Sequence, residues 1–347
     1  MTSISKSFEN WQPPVHFLNI KTLDCHTGGE PLRIITSGFP ELVGKTVLEK
    51  RRYCRDNFDH LRTALMFEPR GHADMYGALV VEADNPDSHF GAIFIHNEGY
   101  STMCGHAVIA LTKFAVESGL VEKTGNETAV TIDVPCGQIH AVAYGDESVE
   151  NVSFECVPSF ILHNDVEISL DDFGTIKLDI AYGGAFYAYL DVSQVNLTCG
   201  PEHTNELIRV GRLIKQAVQS QFDINHPVET DLGFLYGTIF IEPSIKEGIH
   251  SRNVCIFADG EVDRSPTGSG VSGRAAIHHQ KGDVDLNEVI TIESVLGSTF
   301  EVSAVRSLDY HGYPAVIPRV TGKAYISGKC EFFIDPDDPL KNGFILR

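Results

Sequence analysis

The chain has 347 residues, 42% of them hydrophobic and 21% charged, and 27 basic against 47 acidic residues give a formal net charge of −20 at pH 7. This length exceeds what one ordinary core requires, so two domains are expected, and the acidic balance disfavours nucleic acids and anionic membranes as partners. No apolar run approaches the ~20 residues of a membrane span, and no basic stretch with an apolar core precedes residue 17, so a cytoplasmic location is predicted.

Short strands dominate the predicted secondary structure. β-branched and aromatic residues are concentrated in runs that Gly, Asp or Asn bound, and such runs are typical of strands. In chain order, these strands are predicted at residues 78–82, 91–95, 128–132, 237–241, 253–257 and 289–293.

Four helices are predicted among these strands, over residues 50–65, 106–118, 205–221 and 269–280. The helix at 106–118 is apolar nearly all round, which predicts burial, and Gly119 is a natural end for it. The helix at 205–221 is amphipathic and is expected at the surface. The basic cluster at residues 50–55 is interpreted as a solvated face.

Two related sequences precede the helices at 106–118 and 269–280. Residues 103–107 read Met-Cys-Gly-His-Ala, and residues 265–270 read Ser-Pro-Thr-Gly-Ser-Gly. In each, a nucleophilic or polar side chain stands before a glycine and a helix. Two similar halves that face each other would bring both helix N-termini to one cleft. Only Cys104 carries a thiol, whereas Thr267 carries a hydroxyl, so chemistry with a single thiol base is indicated.

A cysteine at a helix N-terminus has a reason to be reactive. The unpaired N–H groups and the partial positive charge there favour a thiolate, and they equally favour a substrate carboxylate. His106 adds a hydrogen-bond donor. The alternatives stay open: Cys104 as a buried structural cysteine, Asp263 as a turn residue instead of a ligand for a substrate ammonium, and Thr267 as a simple helix cap.

Two sequence patterns that can bind a cofactor or a metal occur in the chain, but their surroundings do not favour either site. Residues 268–273 fit Gly-x-Gly-x-x-Gly, but about ten residues separate them from the preceding strand and no alternation of strands and helices surrounds them. His72 and Asp74 lack a third metal ligand at a compelling spacing. The eight cysteines contain no Cys-x-x-Cys pair, so reduced thiols are expected. We therefore predict neither a cofactor nor a metal.

Five ordered segments resemble the proline racemase family, and together they span essentially the whole chain. The resemblance implies an α/β fold like that of diaminopimelate epimerase, with two similar halves, each a curled β-sheet around a central helix. It places a cofactor-free active site in the cleft between the halves. The segments are residues 24–31 (Asp-Cys-His-Thr-Gly-Gly-Glu-Pro), 70–77, 103–106, 263–268 and 335–339.

The expected halves are residues 1–150, which carry Cys104, and residues 151–332, which carry Thr267. The tail at 333–347 is expected to pack back on the first half. A small-molecule substrate is the expected partner, without nucleic acid or membrane, and we allow for a homodimer.

Racemases of this family have a second cysteine where this chain has Thr267. A threonine hydroxyl is too weak an acid or base to replace a thiol near neutral pH, so inversion is not expected. The Cys/Thr pattern resembles the family members that dehydrate trans-3-hydroxy-L-proline to Δ1-pyrroline-2-carboxylate. The resemblance implies that Cys104 is the catalytic base and that the substrate is bound by Tyr76, Gly105, His106, Phe257, Asp263, Thr267, Gly268 and Ser269.

In trans-3-hydroxy-L-proline the Cα hydrogen and the 3-hydroxyl share one ring face. The hypothesis is that the Cys104 thiolate removes the proton and that the resulting thiol returns it to the departing hydroxyl. The alternatives are a proline racemase or 4-hydroxyproline 2-epimerase, and, from a different class, an inactive imino-acid-binding protein. A cysteine hydrolase is a weaker alternative, because no His-Asp partners can be assigned from sequence order.

Overall fold

The structure is a computed structural model that describes residues 11–346. Residues 1–10 and 347, which the predicted first half and tail include, lie outside the described residues. The first part of the chain forms β1 (Leu18–Thr27), β2 (Glu30–Ser37), α1 (Val47–Met66), β3 (Tyr76–Val81), β4 (Phe90–His96), β5 (Gly99–Ser101), α2 (Gly105–Glu117), β6 (Glu127–Val134), β7 (Gly137–Tyr144) and β8 (Asn151–Glu155).

The second part of the chain adds ten strands and two α-helices, together with three short 3₁₀ turns. The strands and helices are β9 (Ser159–Leu170), β10 (Gly174–Tyr182), β11 (Phe186–Asp191), α3 (Thr204–Gln221), β12 (Leu235–Pro243), β13 (Ser251–Phe257), β14 (Glu261–Asp263), α4 (Gly268–Lys281), β15 (Ile290–Glu293), β16 (Thr299–Tyr310), β17 (Tyr313–Gly322) and β18 (Ala324–Ile334). The 3₁₀ turns are Val192–Val195, Pro201–His203 and Thr230–Leu232.

One succession of strand pairings occurs twice. β1 and β2 are antiparallel, α1 connects β2 to the parallel strand β3, β4 and β5 follow antiparallel, and β6 after α2 runs parallel to β4. In the same order, β10 and β11 are antiparallel, α3 connects β11 to the parallel strand β12, β13 and β14 follow, and β15 after α4 runs parallel to β13. The repetition confirms the prediction of two similar halves.

The last strand of the second set pairs with the first strand of the first set. β18 is antiparallel to β1, whereas β9 pairs with its neighbour in sequence, β10. β8 also pairs with β17, so all eighteen strands among the described residues belong to one continuous sheet. The tail approaches the first half where the Phe344 N–H donates to the Glu68 carbonyl oxygen over 2.9 Å. The predicted division at residue 150 stays a prediction.

The most buried helices are α2, as its apolar sequence predicts, and α4, whose buried part is rich in glycine, serine and alanine. α2 packs against β1, β7 and β8, and α4 packs against β9, β10, β16 and β17, so a sheet surrounds each helix. This arrangement confirms the predicted fold class. The predicted helices and strands form with small differences at their ends. Within residues 11–346 no helix combines the length and apolarity needed to cross a membrane.

The interpretation of residues 50–55 as a solvated face is wrong for its first two residues. Lys50 and Arg51 are only 9% and 7% exposed. The Lys50 ammonium donates to the Glu82 carbonyl oxygen and the Arg51 guanidinium to the Tyr100 carbonyl oxygen, both over 2.8 Å. Their long side chains thus provide hydrogen-bond donors for backbone carbonyl oxygens in or next to the strands that α1 covers.

Candidate active site

The N-termini of α2 and α4 meet end to end. Cys104 is the residue before α2, and Thr267 is the residue before α4. A Cβ placed on Gly105 would lie 2.5 Å from Gly268 Cα, and one placed on Gly268 would lie 2.6 Å from Gly105 Cα. Only glycine allows two backbones to approach this closely. The contact brings the Cys104 and Thr267 side chains to the same cavity.

All nine sequence-predicted site residues line this single cavity, so the structure brings together every one of them. Their individual roles stay predictions. Four further residues complete the lining and were not singled out from the sequence: Glu30, Met103, Tyr187 and Tyr236.

The Cys104 thiol is 4% exposed, and its Sγ lies 3.1 Å from His106 Nδ1. Burial raises the pKa of Cys104 well above its usual range, although the Ala107 N–H and the Tyr76 hydroxyl act to lower it. The helix N-terminus favours the thiolate as expected, through the Ala107 N–H, but desolvation in the cavity outweighs this contribution. A thiolate here would be a strong base.

Histidine and cysteine do not form an ion pair at this site. Burial, together with the positive charge of Arg264, lowers the pKa of His106 to about 3. The imidazole is therefore neutral near pH 7, and at 3.1 Å its Nδ1 can accept the hydrogen of the Cys104 thiol. The pair differs in this respect from the thiolate–imidazolium pairs of cysteine hydrolases.

Thr267 begins α4 without capping it. Its backbone has φ 67° and ψ 92°, a conformation that residues other than glycine rarely adopt. Its side chain makes no capping hydrogen bond. Its buried Oγ1 lies near Asp263 and Cys255 but makes no hydrogen bond of ordinary geometry among the described residues. The interpretation of Thr267 as a simple helix cap is therefore wrong, and its hydroxyl is available to a ligand.

Two carboxyl groups line the cavity. Asp263 Oδ1 accepts the Ser265 N–H over 2.7 Å, and Glu30 Oε2 accepts the Arg264 N–H over 2.8 Å while it lies 3.1 Å from Arg264 Nε. Burial raises the pKa of Asp263, and burial together with the Asp263 charge raises the pKa of Glu30 well above its usual range. Both groups would be stabilised by a cation, so this side of the cavity suits a substrate ammonium.

Aromatic rings form another wall. The ring centroids of Tyr76 and Phe257 are 6.1 Å apart, and those of Tyr236 and Phe257 are 5.4 Å apart. The Tyr76 ring also meets the His106 ring edge to face at 4.8 Å. Together with the helix N-termini and the two carboxyl groups, this wall suits a small ring that bears a carboxylate and an ammonium.

The four cavity residues that were not predicted differ in whether their local sequence marks them as part of the site. Glu30 and Met103 stand inside two of the five quoted segments, so the sequence offered a signal for both. Tyr187 and Tyr236 lie in β11 and β12, where aromatic residues are ordinary strand formers. Nothing in their local sequence distinguishes them from core residues.

The structure gives a packing role to the glycines of the first cofactor pattern. The glycines of residues 268–273 lie inside α4, and Cβ atoms at Gly270 and Gly273 would meet the Ile239 and Tyr189 side chains within 2.4 and 2.1 Å. These glycines therefore serve helix packing. No group of three His, Cys, Asp or Glu residues suited to a metal occurs in the part of the chain that the structure describes.

Comparison with known proteins places these observations in a family. The family model described as proline racemase matches residues 22–345. Trans-3-hydroxy-L-proline dehydratase of Colwellia psychrerythraea is 61% identical over 98% of this chain and 97% of its own length. Trans-3-hydroxy-L-proline dehydratase of Homo sapiens is 45% identical over 94% and 95%.

Solved structures show the same fold. A hydroxyproline epimerase from Agrobacterium vitis, with bound trans-4-hydroxy-L-proline, has a TM-score of 0.90 and 30% identity over 95% of this chain and 96% of its own. A probable proline racemase from Agrobacterium radiobacter, with bound carbonate, has a TM-score of 0.90 and 33% identity over 94% and 96%. The predicted resemblance and fold are confirmed.

Proposed function

Because the chain belongs to the proline racemase family, we propose that it dehydrates trans-3-hydroxy-L-proline to Δ1-pyrroline-2-carboxylate and water without a cofactor. The observation that carries the proposal is the pairing of one thiol, Cys104, with one hydroxyl, Thr267, where α2 and α4 meet. Two relatives of 61% and 45% identity bear the name of this dehydratase, in agreement with the sequence-based prediction. The enzyme is a hydro-lyase.

The shape of the cavity supports a specific orientation of the substrate. The backbone N–H groups of Gly105, His106, Gly268 and Ser269, at the two helix N-termini, would hold the carboxylate. The Asp263 carboxylate would bind the ring ammonium, and its charge becomes less costly when a cation lies beside it. The rings of Tyr76 and Phe257 would flank the pyrrolidine.

The proposed chemistry uses one face of the ring. The Cys104 thiolate takes the Cα proton, and the electron pair left at Cα forms the Cα–C3 double bond as the C3–O bond breaks. The thiol gives its proton to the departing oxygen, so water leaves and Cys104 returns to the thiolate. Both helix N-termini stabilise negative charge that develops on the carboxylate. The enamine product then tautomerises to the cyclic imine.

A direct assay tests the proposal. The purified protein is incubated with trans-3-hydroxy-L-proline, and the imine is trapped by borohydride, which reduces it to proline, or by an amine reagent that gives a coloured adduct. Formation of trapped product at a rate proportional to enzyme is expected. Binding of the imino acid in calorimetry without any product would instead identify an inactive binding protein.

A second thiol opposite Cys104 is expected to introduce inversion. Thr267→Cys would supply an acid and base on the other ring face, so the variant should form some D-proline from L-proline in heavy water, with deuterium at Cα. Thr267→Ser is the matched control, because it keeps a hydroxyl and should form none. Complete absence of D-proline from a folded Thr267→Cys variant would contradict the argument that Thr267 prevents epimerisation.

A proline racemase or 4-hydroxyproline 2-epimerase is not favoured by any feature of the cavity, since Cys104 is the only thiol among its lining residues. The cytoplasmic location and the homodimer stay predictions. The acidic composition supports the cytoplasmic location, because a net charge of −20 disfavours binding to anionic membranes.

A further inference from the structure

Tyr236 has an unusual hydroxyl group. The residue lies in β12, is 5% exposed and lines the cavity. Its buried hydroxyl lies beside the Tyr76 hydroxyl but makes no hydrogen bond of ordinary geometry with the described residues. The two other tyrosines of the cavity are paired. The Tyr76 hydroxyl bonds to Ser101 Oγ, and the Tyr187 hydroxyl bonds to Ser269 Oγ over 2.7 Å. A buried hydroxyl without a well-formed hydrogen bond is costly, so the Tyr236 group is a candidate for contact with the substrate.

The residues around Tyr236 hold its ring in place and favour the protonated form of its phenol. The ring packs against Phe257 and His96, with centroids at 5.4 and 5.8 Å. Behind it, His96 Nδ1 lies 2.9 Å from Glu261 Oε2, and both side chains are almost fully buried. Burial and the negative charge of Glu261 raise the pKa of Tyr236 well above its usual range. The phenol therefore stays protonated near pH 7 and can donate a hydrogen bond.

One polar group of the proposed substrate, the 3-hydroxyl, has no binding partner in the orientation described above. The carboxylate is assigned to the helix N-termini and the ammonium to Asp263, so the 3-hydroxyl needs a partner. Besides Tyr236, two residues of the cavity hold buried oxygen atoms that make no hydrogen bond of ordinary geometry with the described residues, Glu30 Oε1 and Thr267 Oγ1. In the proposed orientation of the substrate, Glu30 lies with Asp263 at the ammonium end, and Thr267 faces the side of the ring opposite Cys104.

The 3-hydroxyl shares its ring face with the Cα hydrogen, so its partner must lie on the side of Cys104. The Tyr236 ring packs against Phe257, which in turn packs against Tyr76. The Tyr76 ring meets His106, whose Nδ1 lies 3.1 Å from Cys104 Sγ, so Tyr236 borders the part of the cavity that holds Cys104. We propose that the Tyr236 hydroxyl donates a hydrogen bond to the 3-hydroxyl oxygen of the substrate and turns that oxygen toward Cys104. This inference rests on the proposed function.

Tyr236 thus acts on the leaving group without giving up its own proton. As the C3–O bond breaks, the oxygen takes the proton of the Cys104 thiol, and the Tyr236 hydrogen bond stabilises the negative charge that builds on the oxygen. The same contact makes Tyr236 a specificity-determining residue, because a substrate without the 3-hydroxyl leaves the phenol unpaired.

Tyr236→Phe removes only the hydroxyl and tests the assignment. With trans-3-hydroxy-L-proline, kcat/KM is expected to fall about 10- to 100-fold, the effect of losing one buried hydrogen bond. The inhibition constant of L-proline, which lacks the hydroxyl, should change less than about twofold, because L-proline cannot make that bond. Comparison of the two ligands separates recognition of the 3-hydroxyl from a general loss of structure.

Tyr182→Phe is the matched control. Tyr182 is 1% exposed and its hydroxyl also lacks a partner among the described residues, but it lies outside the cavity. This variant should show the wild-type kcat/KM for trans-3-hydroxy-L-proline and the wild-type inhibition constant for L-proline. An unchanged kcat/KM in Tyr236→Phe, or an equal loss of L-proline affinity, would overturn the inference while wild-type dehydration stands. A wild-type protein without dehydratase activity would contradict the proposed function itself.

Discussion

Cys104→Ser is expected to reduce dehydration of trans-3-hydroxy-L-proline by about 10³-fold or more, because the reaction loses its only base at Cα. A serine hydroxyl is far less acidic than a thiol, so the alkoxide that would replace the thiolate is hardly populated near neutral pH. The substitution removes little volume at a position that is 4% exposed, so the fold should persist. The measurement is kcat/KM by imine trapping, together with the thermal unfolding temperature.

Cys156→Ser is the matched control for that experiment. Cys156 is also 4% exposed, and its Sγ donates to the Gly183 carbonyl oxygen over 3.4 Å, a bond that a serine can also make. Cys156 lies outside the cavity, so this variant should keep near-normal activity. If Cys104→Ser retained near-normal dehydration, Cys104 could not be the base.

Gly268→Ala is expected to remove activity and to destabilise the fold. The new Cβ would lie 2.6, 3.1 and 3.4 Å from Gly105 Cα, C and N, which are all backbone atoms of α2 and cannot rotate away. Overpacking of this kind typically costs about 1–3 kcal/mol. Relief requires the two helix N-termini to separate, and a displacement near 1 Å can cost about 10²-fold in rate.

The Gly268→Ala variant is measured by thermal unfolding and by kcat/KM. Gly328→Ala is the matched control, since a Cβ at Gly328 in β18 would meet no atom within 4 Å. The control should change neither quantity appreciably. Wild-type activity in a folded Gly268→Ala variant would show that the close contact between α2 and α4 is not needed for catalysis.

Local patterns were sufficient for the helices and strands but not for the pairing of the strands. The apolar residues of α2 surround the helix on all sides, a pattern that only a buried helix has, so its central position could be predicted. The pairing of β18 with β1 could not, because residues some three hundred positions apart carry no local signal of their register. The burial of Lys50 and Arg51 was missed because it depends on carbonyl groups in other strands.

Site residues could be predicted from the sequence where they belong to a distinctive sequence segment. Cys104 and Thr267 were identified because each begins a helix after a distinctive sequence. Tyr236 and Tyr187 were not, since they reach the cavity only through the position of β12 and β11 in the folded sheet. The raised pKa of the Cys104 thiol was also beyond sequence reasoning, because the desolvation that causes it is a property of the closed cavity.

The pairing of β18 with β1 has a consequence during protein synthesis. When the first 150 residues have left the ribosome, the edge of β1 that will pair with β18 has no partner, because residues 324–334 are translated much later. Unpaired strand edges invite association with other chains. The first half therefore remains vulnerable to aggregation until β18 has been synthesised. The corresponding edge of β10 is covered sooner, because its partner β9 immediately precedes it in sequence.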